Sequence, residues 1–127
     1  MPHLSFEYSR GLGARVDLPG FVEHMRREMI ATDVLPEPGI RIRGFEADHA
    51  AVAEGGPHHF LDMVLRLGEG RDAATRAALA DRLYAAARAV LEPQVAGIGF
   101  LLSLEVVEIR AEFARKAFNT LRTGAAG

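Results

Sequence analysis

Apolar and polar residues alternate along the start of the chain: Leu4, Phe6 and Tyr8 fall on one side, and His3, Ser5, Glu7 and Ser9 on the other. A period of two is that of a half-buried strand, so Met1 to Ser9 is predicted as the first strand. The period then changes. Leu18, Phe21, Val22, Met25 and Met29 recur at helical spacing, while Glu23, Arg26, Arg27 and Glu28 fall elsewhere, and Asp17-Leu18-Pro19 offers a cap followed by a first-turn proline. This predicts a helix to about Thr32, lying on a sheet with both methionines in its core face. Leu35-Pro36-Glu37-Pro38-Gly39 breaks the chain before Ile40 to Arg43, a short strand alternating apolar and cationic side chains.

The same order then recurs. Gly44 to His59 is polar, contains glycine and is too long for a tight turn, so it reads as a connection between halves. Phe60 to Leu67 is predicted as a third strand, with Leu61, Met63, Leu65 and Leu67 inward and Asp62, Val64 and Arg66 outward. Gly68-Glu69-Gly70 is too short and lacks the following lysine of a phosphate loop, which leaves a turn. Asp72 caps a second helix to about Leu91, with Leu79, Leu83, Ala86, Ala87 and Val90 on its buried stripe and Pro93 just beyond it. Ile98 to Ile109 is the fourth strand, with Phe100, Leu102, Leu104 and Val106 inward and Leu101, Ser103, Glu105 and Val107 outward. Arg110 to Gly127 is predicted to hold a short helix with Phe113, Ala117, Phe118 and Leu121 on one side, and then to fray.

Two β-α-β halves, about 1–46 and 58–109, with a tail over 110–127, predict a single α+β domain. Right-handed crossovers place both helices on one face of a mixed four-stranded sheet. The other face collects His3, Ser5, Glu7, Arg41, Arg43, Asp62, Arg66, Leu101, Ser103, Glu105 and Val107. With three acids against three arginines it is either a solvated face or one that meets other subunits around an axis.

At 127 residues, 49% hydrophobic and 25% charged, the chain suits one core, and its net charge of −2 leaves no basic surplus for nucleic acid or a membrane surface. No apolar run approaches a membrane span and no charged-then-apolar leader is present, so the expected location is cytoplasmic. There is no cysteine. Thiol nucleophiles and cysteine-ligated zinc are thereby excluded, and chemistry falls to amines, carboxylates, hydroxyls, histidines and arginines.

The candidate base is at the amino terminus. An initiator methionine is as a rule removed before proline, which would give Pro2 a free secondary amine whose pKa burial and nearby arginines push toward working pH. In a β-α-β unit Arg41 starts a strand parallel to the first and so lies at the same sheet edge as Pro2. Antiparallel pairing of strands one and three would bring Gly68 to Arg71 there as well. Two guanidiniums, from Arg41 and Arg71, then converge on one amine, and such groups bind carboxylates and stabilise enolate charge. His49, His58 and His59 with Asp48 and Asp62 could suggest a metal, but they share no helical face and sit in or beside the connection, so no metal site is assigned.

These segments also carry a resemblance. Met-Pro-His-Leu at the start, Leu-Pro-Gly before the first helix, Gly-Ile-Arg-Ile-Arg, Leu-Arg-Leu-Gly-Glu-Gly-Arg and Ser-Leu-Glu-Val-Val-Glu-Ile resemble the 5-carboxymethyl-2-hydroxymuconate isomerase family of the tautomerase superfamily. The likeness runs from Pro2 to about Ile109, and the tail matches only loosely. It implies Pro2 as proton-transfer base, Arg41 and Arg71 as substrate-binding and charge-stabilising residues, a homotrimer, no cofactor and no metal. The implied substrate is a 2-hydroxymuconate-type enol acid. Two alternatives stand beside it: a tautomerase of a small 2-keto acid such as a phenylpyruvate, and a non-catalytic trimeric relative.

Overall fold

The computed structural model describes residues 1–121. Its main elements are β1 (His3–Tyr8), α1 (Leu18–Ala31), β2 (Arg41–Glu46), β3 (His58–Gly68), α2 (Ala73–Leu91) and β4 (Gly99–Ile109). The strands form one sheet in the order β2-β1-β3-β4. β1 runs parallel to β2, β3 parallel to β4, and the halves join through antiparallel pairing of β1 with β3. That central pairing brings the end of β3 to the edge where β1 begins.

Local signals act where the sequence places them. Asp17 accepts the Gly20 N–H at 3.0 Å and Asp72 the Thr75 N–H at 2.8 Å, so each helix has one of its orphan amides satisfied at its start. Phe21, Met25 and Met29 from α1 and Leu79, Leu83, Ala87 and Leu91 from α2 are buried over Leu4, Phe6, Leu61, Met63, Leu65 and Leu67 of the central strands. Phe6 meets Phe21 edge to face, with ring centroids 5.3 Å apart. The inward set of β4, Phe100, Leu102, Leu104 and Val106, is only half-buried, as suits an edge strand packed against the core margin.

Three segments differ from their expected form. β2 extends to Glu46, because all of β1 from His3 to Tyr8 offers it a partner, and the ladder outlasts the alternation that ends at Arg43. β3 starts at His58, since His58 pairs with Gly99 at the head of β4, and the connection shrinks to residues 47–57. The tail forms only a 3-10 turn, Ala111–Phe113, in place of the expected helix. An apolar helix face needs a surface to bury against, and here Phe113 and Phe118 stand 74% and 94% exposed. Residues 122–127, the frayed end of the sequence reading, lie outside the described residues.

One glycine in β2 has a packing reason. Gly44 lies opposite Phe6, and a Cβ built there would run into the buried Phe6 ring. Gly44→Val is therefore expected to lower stability by about 1–3 kcal/mol through overpacking, seen as a lower urea midpoint at unchanged slope. An unshifted midpoint would mean that the edge strand moves aside freely.

The histidines of the connection have other work. Ser9, buried at the far end of β1, has its Oγ 2.7 Å from His59 Nδ1 and accepts the Phe60 N–H at 3.1 Å. His58 Nε2 lies 2.8 Å from Glu54. Among the described residues no three metal-binding side chains come together, and no helix is long and apolar enough to cross a membrane.

Candidate active site at the amino-terminal sheet edge

Pro2 is fully buried, and its carbonyl accepts the Arg41 N–H at 3.2 Å, which ties the start of β1 to the start of β2. The 3-10 turn Glu37–Gly39 passes over the ring. A Cβ on Gly39 would stand 3.2 Å from Pro2 Cδ, so the glycine lets the loop close down on the proline. Met1 extends half-buried from this seat and carries the terminal amine.

The register supplies charge. His3 lies opposite Arg41 on one side and Arg66 on the other, and Arg43 Nη1 is 3.3 Å from His3 Nδ1. Burial, then the charges of Arg41, Arg66 and Arg43, push the imidazole down to about 4. A neutral ring at pH 7 can accept the Arg43 N–H and adds no charge of its own. The terminal amine is likewise held below its ordinary value, first by burial and then by the charges of Lys116, Arg41 and Arg71.

The two arginines read from the sequence occupy different positions. Arg41 lines a cavity of about 560 Å³ together with Met1, and its Nε donates to Gly39 O at 3.1 Å, while among the described residues neither Nη group takes a hydrogen-bond partner. Arg71 lies outside the lining of that cavity. Its Nη1 donates to Gly68 O at 3.1 Å and its Nη2 to Val34 O at 2.8 Å, so it straps the loop after α1 to the turn after β3. Its charge nevertheless reaches the terminal amine.

The tail, to which the sequence assigns no site residue, takes part in this site. Residues Arg115 to Leu121 line the cavity together with Pro36, Pro38 and Gly39. Asn119 Nδ2 donates to Pro38 O at 3.3 Å, and the Ala111 N–H donates to Glu69 at 2.6 Å, which fastens the tail at two points. A second cavity of about 460 Å³ is lined by Arg66 and Arg110 among others, and shares Met1 and Arg115 with the first. The one signal in the sequence was Lys116 itself, the sole lysine of the chain.

A recessed terminal amine beside cations, on a mixed four-stranded sheet with two helices on one face, is built on the tautomerase fold. A fused 4-OT solved as a symmetric trimer shares that fold at a TM-score of 0.63 and 19% identity, over 94% of this chain and 97% of that one. Likeness at the level of sequence goes further. The chain belongs to the 5-carboxymethyl-2-hydroxymuconate isomerase family, whose profile matches residues 2–123, and it is an isomerase. The 5-carboxymethyl-2-hydroxymuconate Delta-isomerase of Escherichia coli is 31% identical over 86 residues, 66% of this chain and 68% of that protein. A solved 5-carboxymethyl-2-hydroxymuconate delta-isomerase superposes with a TM-score of 0.87 at 27% identity, over 94% of this chain and 89% of the other. A 5-carboxymethyl-2-hydroxymuconate isomerase from Deinococcus radiodurans R1 gives 0.82 at 27% identity, over 91% and 87%. The match to residue 123 takes in the tail wall that the sequence reading left aside.

Proposed function

We propose that the chain, once Met1 is removed, moves a proton along a conjugated 2-hydroxymuconate-type enol acid, with the Pro2 amine as base. The observation that supports this most directly is the place of Pro2, buried at the sheet edge where Arg41 begins β2, directly beside Met1, which lines the cavity that Arg41 also lines. The amine takes the proton of the 2-hydroxyl, the O–H electron pair spreads through the conjugated carbons as a dienolate, and the same proton returns to a carbon farther along. Composition and oxidation state do not change, so the step calls for no cofactor and no metal. Arg41 is assigned to the carboxylate and enolate oxygens, and Arg71 to stabilising the developing charge through its field while bracing the loops. We assign the reaction to the cytoplasm. The test is an ultraviolet assay of processed protein against a panel of 2-hydroxymuconates and aryl pyruvates. Turnover of the muconates supports the reading, faster turnover of a phenylpyruvate favours the keto-acid alternative, and silence on every member favours a non-catalytic relative.

We further propose a homotrimer. The sheet face opposite the helices leaves Phe45 55% and Leu101 63% exposed, and among the described residues Arg41, Arg43, Arg66, Glu7, Asp62 and Glu105 form no ion pair within the chain. A face of this kind is matched by copies that pair its charges across an axis. Light scattering is expected to give three chains at micromolar concentration, and Arg43→Ala or Glu105→Ala to weaken assembly more than chemistry. A wild-type monomer at that concentration would end the proposal.

A further inference from the structure

The register rules the open face of the sheet into rows. Arg43 on β2, Ser5 on β1, Val64 on β3 and Glu105 on β4 stand side by side in one row, and Phe45, Glu7, Asp62 and Ser103 in the next. The first of these rows carries its cation at one edge of the sheet and its acid at the other. Three strand spacings, about 14 Å, lie between them, so the two do not meet within one chain. Arg43 Nη1 lies 3.3 Å from the neutral His3 ring, and among the described residues neither Arg43 nor Glu105 forms an ion pair. The exposed apolar side chains of this face divide in the same way, Phe45 on β2 and Leu101 on β4. Both strands are sheet edges, and β4, at 11 residues, is a long edge to leave open.

Symmetry decides which edges can meet. A two-fold contact at either edge sets that edge against itself, so that Arg43 nears Arg43 or Glu105 nears Glu105, and like charges repel. A head-to-tail contact sets β2 of one copy against β4 of the next. In a ring whose axis runs along the strands, equivalent residues keep their level, so Arg43 comes level with Glu105 of the next copy and Phe45 falls within one row of its Leu101. We propose that copies of this chain join in this way, the β2 edge of one seated on the β4 edge of the next, with Arg43 paired to Glu105 and Phe45 packed beside Leu101, and that three such contacts close the ring. The inference rests on the homotrimer reading and names the surface that builds it.

The test exchanges the charges and then links the edges. Arg43→Glu and Glu105→Arg each set like charges together at every contact. Either is expected to raise the dissociation constant of assembly at least about tenfold, read by light scattering over a dilution series, and the double variant to return it to within about threefold of wild type. The second measurement does not depend on those variants folding. The chain has no cysteine, so cysteines placed at the two edges are the only thiols. A chain carrying Arg43→Cys and Glu105→Cys, treated with a bis-maleimide too short to span the sheet, should yield three covalently joined chains, while each single-cysteine variant stays unlinked. Linked pairs from a single-cysteine variant, or a double charge variant that assembles no better than the single ones, overturn the contact. Wild type found as one chain overturns the homotrimer and this contact together. A wild-type trimer without rescue and without a three-chain product overturns the contact alone.

Discussion

A chain shown by mass spectrometry to keep Met1 is expected to lose isomerase activity by about 10²- to 10⁴-fold relative to the processed form, the range a positioned base contributes. With Met1 in place the Pro2 nitrogen is an amide and has no basic lone pair. The amine that remains is displaced by one residue, about 3.3 Å along an extended chain, and Met1 itself takes up space in the lining of both cavities. Pro2→Ala, processed to a primary amine, should keep a small fraction of activity, because an amine remains with altered basicity and placement. The sign of the pH dependence follows from burial and from the charges of Lys116, Arg41 and Arg71, which lower the Met1 amine and would act in the same direction on a freed Pro2 amine one residue away. Only the neutral amine can accept a proton, so kcat/KM should rise as pH passes a pKa below the ordinary α-amine range of about 7.7–8.0 and flatten above it. A bound carboxylate favours the charged amine, so the same limb should lie higher in kcat. Full activity in a chain that retains Met1 would end the proline-base hypothesis.

The fold was legible wherever the period of the sequence is set by one buried face. Leu4 and Phe6, the Phe21-Met25-Met29 stripe and the Leu61-Met63-Leu65-Leu67 run all lie in the core, because a strand or helix half-covered by its neighbour leaves an unambiguous pattern. The ends of β2 and β3 were less legible. Gly44, Phe45, His58 and His59 break the alternation, and their strand conformation comes from partners remote in sequence, β1 and β4. At the site, Pro2 and Arg41 could be brought to one edge from topology alone, since parallel strands start together. The antiparallel joining of the halves was needed to bring Gly68 to Arg71 to that edge, and it is present.

The tail was read wrongly for a physical reason. Phe113, Ala117, Phe118 and Leu121 match a helical face, yet amphipathic spacing argues for a helix only when something lies beneath it. Instead the segment is fixed by hydrogen bonds to Glu69 and Pro38, contacts that leave no periodic trace. The same limit applies to Arg71. Its position one residue before a helix cap marks it as loop, but nothing local says that its guanidinium spans to Val34 O.

That strap makes the two arginines separable by experiment. Arg41→Ala is expected to lower kcat/KM on the order of a hundredfold, the scale of one charge-stabilising donor, while leaving the urea midpoint close to wild type, because the side chain is exposed and among the described residues it hydrogen-bonds only to Gly39 O. Arg71→Ala should lose rate on a similar scale through the missing field at the amine, and in addition lower stability by about 1–2 kcal/mol, since Gly68 O and Val34 O both lose a charged donor. Lysine should rescue either position poorly. At residue 41 it lacks the planar fork that meets a carboxylate with two parallel bonds, and at residue 71 a single ammonium does not reproduce the span of a guanidinium across two carbonyls. Arg71→Lys therefore keeps a charge near the amine while weakening the strap. It should retain the low limb of the pH profile and still unfold earlier than wild type. Wild-type rates in either alanine variant would remove that arginine from the site, and an Arg71→Ala protein with unchanged stability would show that the loops after α1 and β3 hold their places without it.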